Sequence, residues 1–287
     1  MPAERVVLIT GASSGIGLET ARLLTRRGFR VFGTRLPDEA FESDGFEVLE
    51  LDVRSDESVA ACVAELMAGA GRLDVLCNNA GFGLVGPVEE TSIEEARAVF
   101  ETNYFGVIRM TRAALPIMRR QRRGLVVNTS SVAGCIGVPF EAHYCATKLA
   151  LASLTAALRH EVAPFGIKAV VVTPGYVRTS FYSALRTARA HIQEYDAGRD
   201  RAMAAFDRSA RMGSEAPAIA KVIGRAIEAN SPRLRYWAGL DAWFYALVHR
   251  LVPDPLMDWI MRREFQPRDC PDGRRKADQR TGTSSDV

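Results

Sequence analysis

Residues 6–17 read Val-Val-Leu-Ile-Thr-Gly-Ala-Ser-Ser-Gly-Ile-Gly, an apolar run that ends in a turn with three glycines. The apolar run predicts a buried strand, and the pattern after the turn predicts a helix that Gly28 ends. Between a strand and a helix, such a turn lets the backbone approach a phosphate group, whose charge then lies at the positive end of the helix dipole. Glycines there can also serve only tight packing, so the turn alone leaves both interpretations open.

Apolar runs and helical patterns alternate along the rest of the chain. Strands are predicted at residues 6–10, 30–35, 46–53, 73–80, 124–131, 167–174 and 234–238. Helices are predicted at 15–27, 55–67, 92–120, 142–164 and 217–230, and Pro116 is expected either to kink or to end the third of them. This alternation indicates the α/β class, as a single Rossmann-type, doubly wound parallel sheet with helices on both faces.

Composition narrows the class of protein. The 287 residues are 47% hydrophobic and 25% charged, as in soluble globular proteins, and a net charge of +3 is too small to indicate a nucleic-acid partner. The five cysteines are an odd set without a CxxC pair, and they show no metal-ligand spacing against the four histidines. We therefore expect a reduced, cytoplasmic protein without a metal. The first strand starts too early for a signal peptide, and no apolar run reaches the ~18 residues of a membrane span.

Tyr144 and Lys148 carry the clearest chemical signal. They are four residues apart in a predicted helix, so they share one face of it. An ammonium group beside a phenol favours the phenolate and lowers the phenol pKa, which makes a tyrosine usable as a proton donor near neutral pH. The alternative is a pair on the helix surface that contributes only a few tenths of a kcal/mol to stability.

The motifs of this chain together resemble those of the short-chain dehydrogenase/reductase family. They are the glycine turn, Asn78-Asn79-Ala80-Gly81, Asn103, the set of Ser131, Tyr144 and Lys148, and Pro174-Gly175. The resemblance runs from about residue 4 to residue 180, and it implies an NAD(P)-dependent oxidoreductase that acts on CH-OH groups. It also implies a homodimer or homotetramer formed through the helices at 92–120 and 142–164. Residues 181–213, which are rich in Arg, Ala and Met and expected to be helical, occupy the place of the family's substrate lid.

The resemblance implies a role for each residue of a catalytic set. Tyr144 is the acid in reduction and the base in oxidation, and Lys148 lowers its pKa and binds the nicotinamide ribose. Ser131 binds the substrate oxygen, because the family's serine lies thirteen residues before its tyrosine; Ser130 is a possible neighbour. Asn103 anchors a water that relays protons.

The resemblance also implies a set of cofactor contacts. They are Gly11, Ser13, Ser14, Gly15, Ile16, Gly17, Asp52, Val53, Asn79, Ala80, Gly81, Tyr144, Lys148, Pro174, Gly175, Val177 and Thr179. The second strand ends in Arg35 without a carboxylate before Asp38, so Arg35 is expected to pair with a 2'-phosphate, and NADP(H) is favoured over NAD(H). Alternatively, Asp38 or Glu39 reaches back to the ribose and the cofactor is NAD(H).

A loop with few polar side chains, residues 134–140, precedes the catalytic helix and favours a hydrophobic substrate. The expected pocket residues are Leu84, Val138, Phe140, Tyr176, Phe181 and Tyr182, with Phe82 and Val85 extending the same wall. The segment 135–148 also resembles, more weakly, the 17β-hydroxysteroid and retinol dehydrogenase branch. A steroid, retinoid, polyketide or lipid-like ketone therefore suits the pocket.

The C-terminal part mixes aromatic residues with arginines. Core or interface packing of Trp237, Trp243, Phe244, Tyr245, Leu247, Leu251 and Trp259 is expected ahead of peripheral contact with a membrane surface. We expect one domain over residues 1–265, with a C-terminal helical elaboration that covers the substrate, and a disordered tail over 266–287. The alternative functions are a cofactor-binding protein that senses redox state without turnover and an enzyme of nucleotide sugars.

Overall fold

The computed structural model describes residues 4–43 and 45–265, so the tail predicted for 266–287 lies outside the described residues. Seven parallel strands form the central sheet, and we label them along the chain: β1 Val6–Ile9, β2 Arg30–Arg35, β3 Glu47–Glu50, β4 Val75–Asn78, β5 Gly124–Thr129, β6 Ile167–Pro174 and β7 Arg235–Ala238. Their order is β3-β2-β1-β4-β5-β6-β7. The order reverses between β1 and β4, where a crevice opens beyond the carboxyl ends of the strands. The predicted fold class is confirmed.

Helices cover both faces of the sheet. They are α1 Gly15–Arg26, α2 Asp56–Ala70, α3 Ile93–Phe100, α4 Gly106–Gln121, α5 Ala142–Val162, α6 Asp196–Met212, α7 Ala216–Glu228, α8 Leu240–Leu251 and α9 Asp254–Phe265. In β1, Val6 and Leu8 pack on the side of α2, α4 and α5, whereas Val7 and Ile9 pack on the side of α1 and α7. Because successive side chains of a strand point to opposite faces, strands buried on both sides must be apolar throughout, as the sequence shows.

The predicted helix 92–120 is interrupted, but not where proline was expected to interrupt it. Ser92 caps α3 in a reciprocal pair with Glu95, and Pro116 lies inside α4, which continues to Gln121. The interruption is a single π-helical turn at Glu101–Phe105. Such turns are frequent at functional sites.

The helix expected over 181–213 begins only at Asp196. Before it, Arg186–Thr187 pairs in parallel with Leu84–Val85, and the amides of Arg186 and Ala188 donate to the carbonyls of Gly83 and Val85 at 3.0 and 2.9 Å. Because these backbone groups form a strand pair and not helical hydrogen bonds, the predicted helix is wrong for residues 181–192.

Apolar side chains of α8 and α9 face away from the core. Leu240, Trp243, Phe244, Leu247, Leu251 and Trp259 are all more than half exposed in the single chain. Core packing, one of the interpretations of this region, is therefore wrong for Trp243, Phe244, Leu247, Leu251 and Trp259. Within the described part of the chain, no helix is both long and apolar enough to cross a membrane.

Candidate active site

One cavity of about 400 Å³ lies in the crevice beyond the carboxyl ends of the strands. It brings together most of the residues selected from the sequence: Gly11, Ser13, Ser14, Gly15, Ile16, Arg35, Asp52, Val53, Asn79, Ala80, Gly81, Ser131, Tyr144, Lys148, Pro174, Gly175, Val177, Thr179, Phe181 and Tyr182. Six others do not line it: Gly17, Leu84, Asn103, Val138, Phe140 and Tyr176.

The glycine turn forms one end of the cavity. Gly11 and Gly15 have φ angles of 65° and 56°, a conformation that favours glycine. Ser14 is the residue before α1, and its side chain makes no capping hydrogen bond. The first turn of α1 therefore presents backbone N–H groups and the positive end of the helix dipole to the cavity, as a phosphate site requires.

Asn79 and Thr10 tie this turn to the end of β4. Nδ2 of Asn79 donates to the carbonyl oxygens of Thr10 and Gly11, at 3.2 and 3.0 Å. Oγ1 of Thr10 in turn accepts from the amides of Asn79 and Ala80, both at 3.0 Å. A Cβ on Gly17 would collide with the Gly11 carbonyl oxygen and lie 2.6 Å from Nδ2 of Asn79. Gly17 thus serves close packing behind the turn.

Two arginines mark the end of the cavity at β2 and β3. Arg35 donates to the carbonyl oxygens of Leu36, Pro37 and Glu39 at 2.8–3.0 Å and pairs with Glu50 at 2.8 Å. Arg54 pairs with Asp52 through two nitrogens, and this pairing lowers the pKa of Asp52. The sequence interpretation missed Arg54, which lines the cavity beside Arg35. Its position directly after Asp52 and Val53 was the available signal.

Tyr144, Lys148 and Ser131 form the opposite end of the cavity. Tyr144 and Lys148 are buried, and Nζ of Lys148 lies 5.7 Å from the centre of the Tyr144 ring and donates to the Thr129 carbonyl oxygen at 3.0 Å. Oγ of Ser130 donates to the backbone carbonyl of Lys148, whereas a hydrogen bond joins Ser131 to Tyr144. The choice of Ser131 over its neighbour stays a prediction.

Burial controls the titration of this pair. It raises the pKa of Tyr144 and outweighs the hydrogen bond with Ser131, which lowers it. Burial also lowers the pKa of Lys148 to about 8. The expected lowering of the Tyr144 pKa by Lys148 is therefore not what this structure shows, since the loss of water around the phenol has the larger effect.

Asn103 lies in the π-helical turn and is fully buried. Its Oδ1 accepts from the Phe82 amide at 3.0 Å, and its Nδ2 donates to the Phe82 carbonyl at 2.9 Å and to Oγ1 of Thr147 at 3.3 Å. The Asn103 side chain therefore holds the loop after β4 against the helix that carries Tyr144.

The apolar wall is formed by fewer residues than the sequence suggested. Phe181 and Tyr182 line the cavity, and the Phe181 ring lies 5.8 Å from that of Tyr144. The four other expected pocket residues, Leu84, Val138, Phe140 and Tyr176, do not line the cavity. The cavity is also lined by Glu39, Phe82 and Ser130, which the sequence analysis named as an alternative contact, an extension of the wall and a neighbour. Ten further lining residues were not selected from the sequence: Thr34, Leu36, Leu51, Arg54, Gly83, Thr102, Thr129, Ser180, Ala184 and Arg186. Most lie next to a selected residue.

Comparison with known proteins finds dehydrogenases and reductases similar to this chain. The family model for short chain dehydrogenases matches residues 5–190. The 3-ketodihydrosphingosine reductase of Bacteroides thetaiotaomicron is 35% identical over 262 residues, which cover 90% of this chain and 97% of that protein. The estradiol 17-beta-dehydrogenase 1 of Rattus norvegicus is 37% identical over 87% of this chain and 77% of its own length.

Solved structures show the same similarity. A short-chain dehydrogenase from Streptomyces avermitilis superposes with a TM-score of 0.78, at 34% identity over 91% of this chain and 97% of its own. The structure of ElxO with NADP bound has a TM-score of 0.69, at 26% identity over 82% of this chain and 97% of its own.

Gly17→Ala tests the close packing behind the glycine turn. We expect a loss of about 1–3 kcal/mol in the free energy of unfolding, because the added methyl group meets backbone that has no room to move. Denaturant unfolding measures this. The control is Gly69→Ala in α2, where a Cβ meets only ordinary contacts at 3.7 Å or more and stability should be unchanged or higher. Equal stability of the Gly17→Ala protein contradicts the packing described here.

Proposed function

This chain belongs to the short-chain dehydrogenase family of oxidoreductases that act on CH-OH groups, and we propose that it transfers a hydride between NADP(H) and a hydrophobic ketone or secondary alcohol. The observation that carries the proposal is one cavity with an uncapped helix N-terminus at one end and the Ser131, Tyr144 and Lys148 set at the other. The residues present fit a dinucleotide, since the first end offers N–H groups for its phosphates.

A nicotinamide cofactor supplies or accepts the hydride when it is bound. The proposed tasks of the chain are to hold the substrate oxygen and to move its proton. In reduction, the Tyr144 hydroxyl donates its proton to the carbonyl oxygen, and the Ser131 hydroxyl donates a hydrogen bond to the same oxygen. The raised pKa of Tyr144 keeps the phenol protonated before the reaction, and the nearby Lys148 ammonium stabilises the phenolate that remains.

A hydrophobic substrate is supported by the wall of the cavity beside Tyr144. Phe82, Phe181 and Tyr182 offer aromatic surfaces there. Two relatives are named for 3-ketodihydrosphingosine and for estradiol, which are largely apolar molecules. These names support a lipid-like or steroid-like ketone as the substrate of this chain.

NADP(H) is proposed because two cations, Arg35 and Arg54, line the cavity beyond the end of β2. A 2'-phosphate would compete with Glu50 for Arg35 and with Asp52 for Arg54, and it would offer each guanidinium a charged acceptor. Glu39 lines the same end of the cavity, which is the observation that favours the NAD(H) alternative.

We also propose a homodimer or homotetramer formed through α4 and α5, supported by the exposure of Phe105 just before α4 and of Leu149 on α5. Light scattering after size-exclusion chromatography tests this, and a monomer at micromolar concentration contradicts it.

The apolar face of α8 and α9 is proposed as a second contact surface, for another subunit or a membrane. A cytoplasmic location is proposed from the set of reduced cysteines.

Tyr144→Phe should reduce kcat/KM for an apolar ketone by about 10²–10⁴-fold, because the proton donor is removed. The affinity for NADPH should stay within about threefold, since the ring that shapes the cavity remains. Stopped-flow kinetics and a fluorescence titration measure the two quantities. Tyr104→Phe, which removes a hydroxyl from a tyrosine outside the cavity lining, is the control. Full activity of Tyr144→Phe overturns the proposed mechanism and revives a role in sensing without turnover.

Titration with NADPH and NADH tests the cofactor assignment. We expect NADPH to bind at least about tenfold more tightly, Arg35→Asp to reverse the order, and Arg54→Leu to weaken NADPH alone. Arg97→Leu on the exposed side of α3 is the control. If NADH binds more tightly to the unchanged protein, the assignment is wrong and Glu39 becomes the candidate ribose contact.

A further inference from the structure

Arg186 is a cation that lines the active-site cavity and has no acceptor in the described part of the chain. The other cations in the lining each pair with a carboxylate or a backbone carbonyl; they are Arg35, Arg54 and Lys148. Among residues 4–43 and 45–265, by contrast, no oxygen atom accepts a hydrogen bond from the guanidinium of Arg186. The residue is also exposed, so a ligand in the cavity can reach its N–H groups without a rearrangement of the chain.

Two contacts hold Arg186 in position. Its guanidinium carbon lies 4.1 Å from the centre of the Phe82 ring, and its backbone amide donates to the Gly83 carbonyl at 3.0 Å. Stacking on an aromatic ring uses the flat face of a guanidinium and leaves the N–H groups at its edge available. The side chain is therefore ordered before a ligand binds, which lowers the entropic cost of binding.

Arg186 lies at the same end of the cavity as Lys148. Phe82, on which it stacks, directly follows Gly81, and a Cβ on Gly81 would lie 3.7 Å from Nζ of Lys148. Nζ of Lys148 in turn lies 5.7 Å from the centre of the Tyr144 ring. The Arg186 guanidinium and the proposed reaction centre therefore flank the same part of the cavity.

The charges that line the cavity are unevenly distributed. Its carboxylates among the described residues, Glu39 and Asp52, both lie at the end formed by β2 and β3. The opposite end is lined by Lys148 and Arg186 and, within the described chain, by no carboxylate. Because no lining carboxylate competes for these cations, the electrostatics of this end favour an anionic group of a ligand over a cationic one.

Acidic residues on the other side of Arg186 do not occupy its N–H groups. Arg186 also lines a neighbouring cavity of about 560 Å³ that contains Glu94 and Glu95. In the described structure, neither carboxylate forms an ion pair with Arg186. The Glu95 carboxylate accepts instead from the backbone amides of Ser92 and Arg189, each at 2.9 Å.

We propose that Arg186 binds an anionic group of the substrate, such as a carboxylate, while Tyr144 acts on the substrate's carbonyl oxygen. A planar carboxylate matches the two parallel N–H groups that a guanidinium presents. The substrate class is thereby narrowed to apolar ketones that carry a negative charge, such as long-chain keto acids. This inference rests on the proposed function.

The test compares keto acids with their methyl esters, which keep the chain and the ketone but lose the charge. The series is 5-oxohexanoate, 7-oxooctanoate, 9-oxodecanoate and 11-oxododecanoate, so that the distance between the ketone and the carboxylate varies. The unchanged protein should reduce at least one acid with a kcat/KM about tenfold to a hundredfold above that of its ester, as expected for a hydrogen bond between charged groups.

Substitutions assign this preference to one side chain. Arg186→Gln should remove the preference and leave the esters within about threefold of the unchanged protein. Arg186→Lys keeps the charge without the two parallel N–H groups, so it should retain part of the preference. Arg189→Gln, the same change three residues further on and outside the lining of the active-site cavity, should behave like the unchanged protein.

A binding measurement separates this inference from the proposed function. Calorimetry with the NADP⁺-loaded protein should show the corresponding hydroxy acid binding more tightly than its methyl ester, and Arg186→Gln should abolish the difference. If no ketone is reduced but this difference depends on Arg186, the inference holds and the proposed function fails. If ketones are reduced without a preference for any acid, or the preference survives Arg186→Gln, the inference is wrong and the function stands.

A fluorescence titration distinguishes a substrate anion from a cofactor phosphate as the partner of Arg186. The affinity of Arg186→Gln for NADPH and for NADH should stay within about threefold of that of the unchanged protein. A loss of about tenfold or more for both cofactors assigns Arg186 to the pyrophosphate that they share, and it overturns the inference.

Discussion

The structure depends on one close approach, that of the β1–α1 turn to the end of β4. Gly17 has no Cβ, so α1 can lie against the Gly11 carbonyl, and Asn79 and Thr10 join the two segments through four hydrogen bonds. This contact fixes the N-terminus of α1 relative to the strands that lead to Ser131 and Tyr144. The proposed phosphate site and the proposed reaction centre are therefore set at a constant separation by close backbone packing and by two short side chains.

Most polar side chains at the reaction centre already have partners in the chain. Lys148 donates to Thr129, Asn103 holds Phe82, and Ser130 binds the backbone of Lys148. Each of these contacts holds part of the proposed reaction centre in place, so we expect little reorganisation when charge develops on a substrate oxygen. Burial keeps the Tyr144 phenol neutral, which suits a group proposed to give up its proton only during reaction.

The sequence predicted features that depend on local patterns. Strands β1, β5 and β6 were recognisable because burial on both faces requires continuous apolar runs, and the motif spacing placed Tyr144 beside Lys148. Features that depend on tertiary contacts were not predictable. The π-helical turn at Glu101–Phe105 itself contains no glycine or proline, although Gly106 follows it directly, and no pattern shows that Arg35 pairs with Glu50.

The short strand pair between Arg186–Thr187 and Leu84–Val85 has a consequence for how molecules reach the cavity. Arg186 lines the cavity. After the strand pair, Glu90 accepts a hydrogen bond from the Ile192 amide and pairs with Arg199 of α6. Residues 186–199 are thus held to the rest of the chain at two points. Any motion that widens the cavity there must first break backbone hydrogen bonds or a buried ion pair. We expect the breaking of these contacts to govern the residence time of a bound molecule independently of the chemistry.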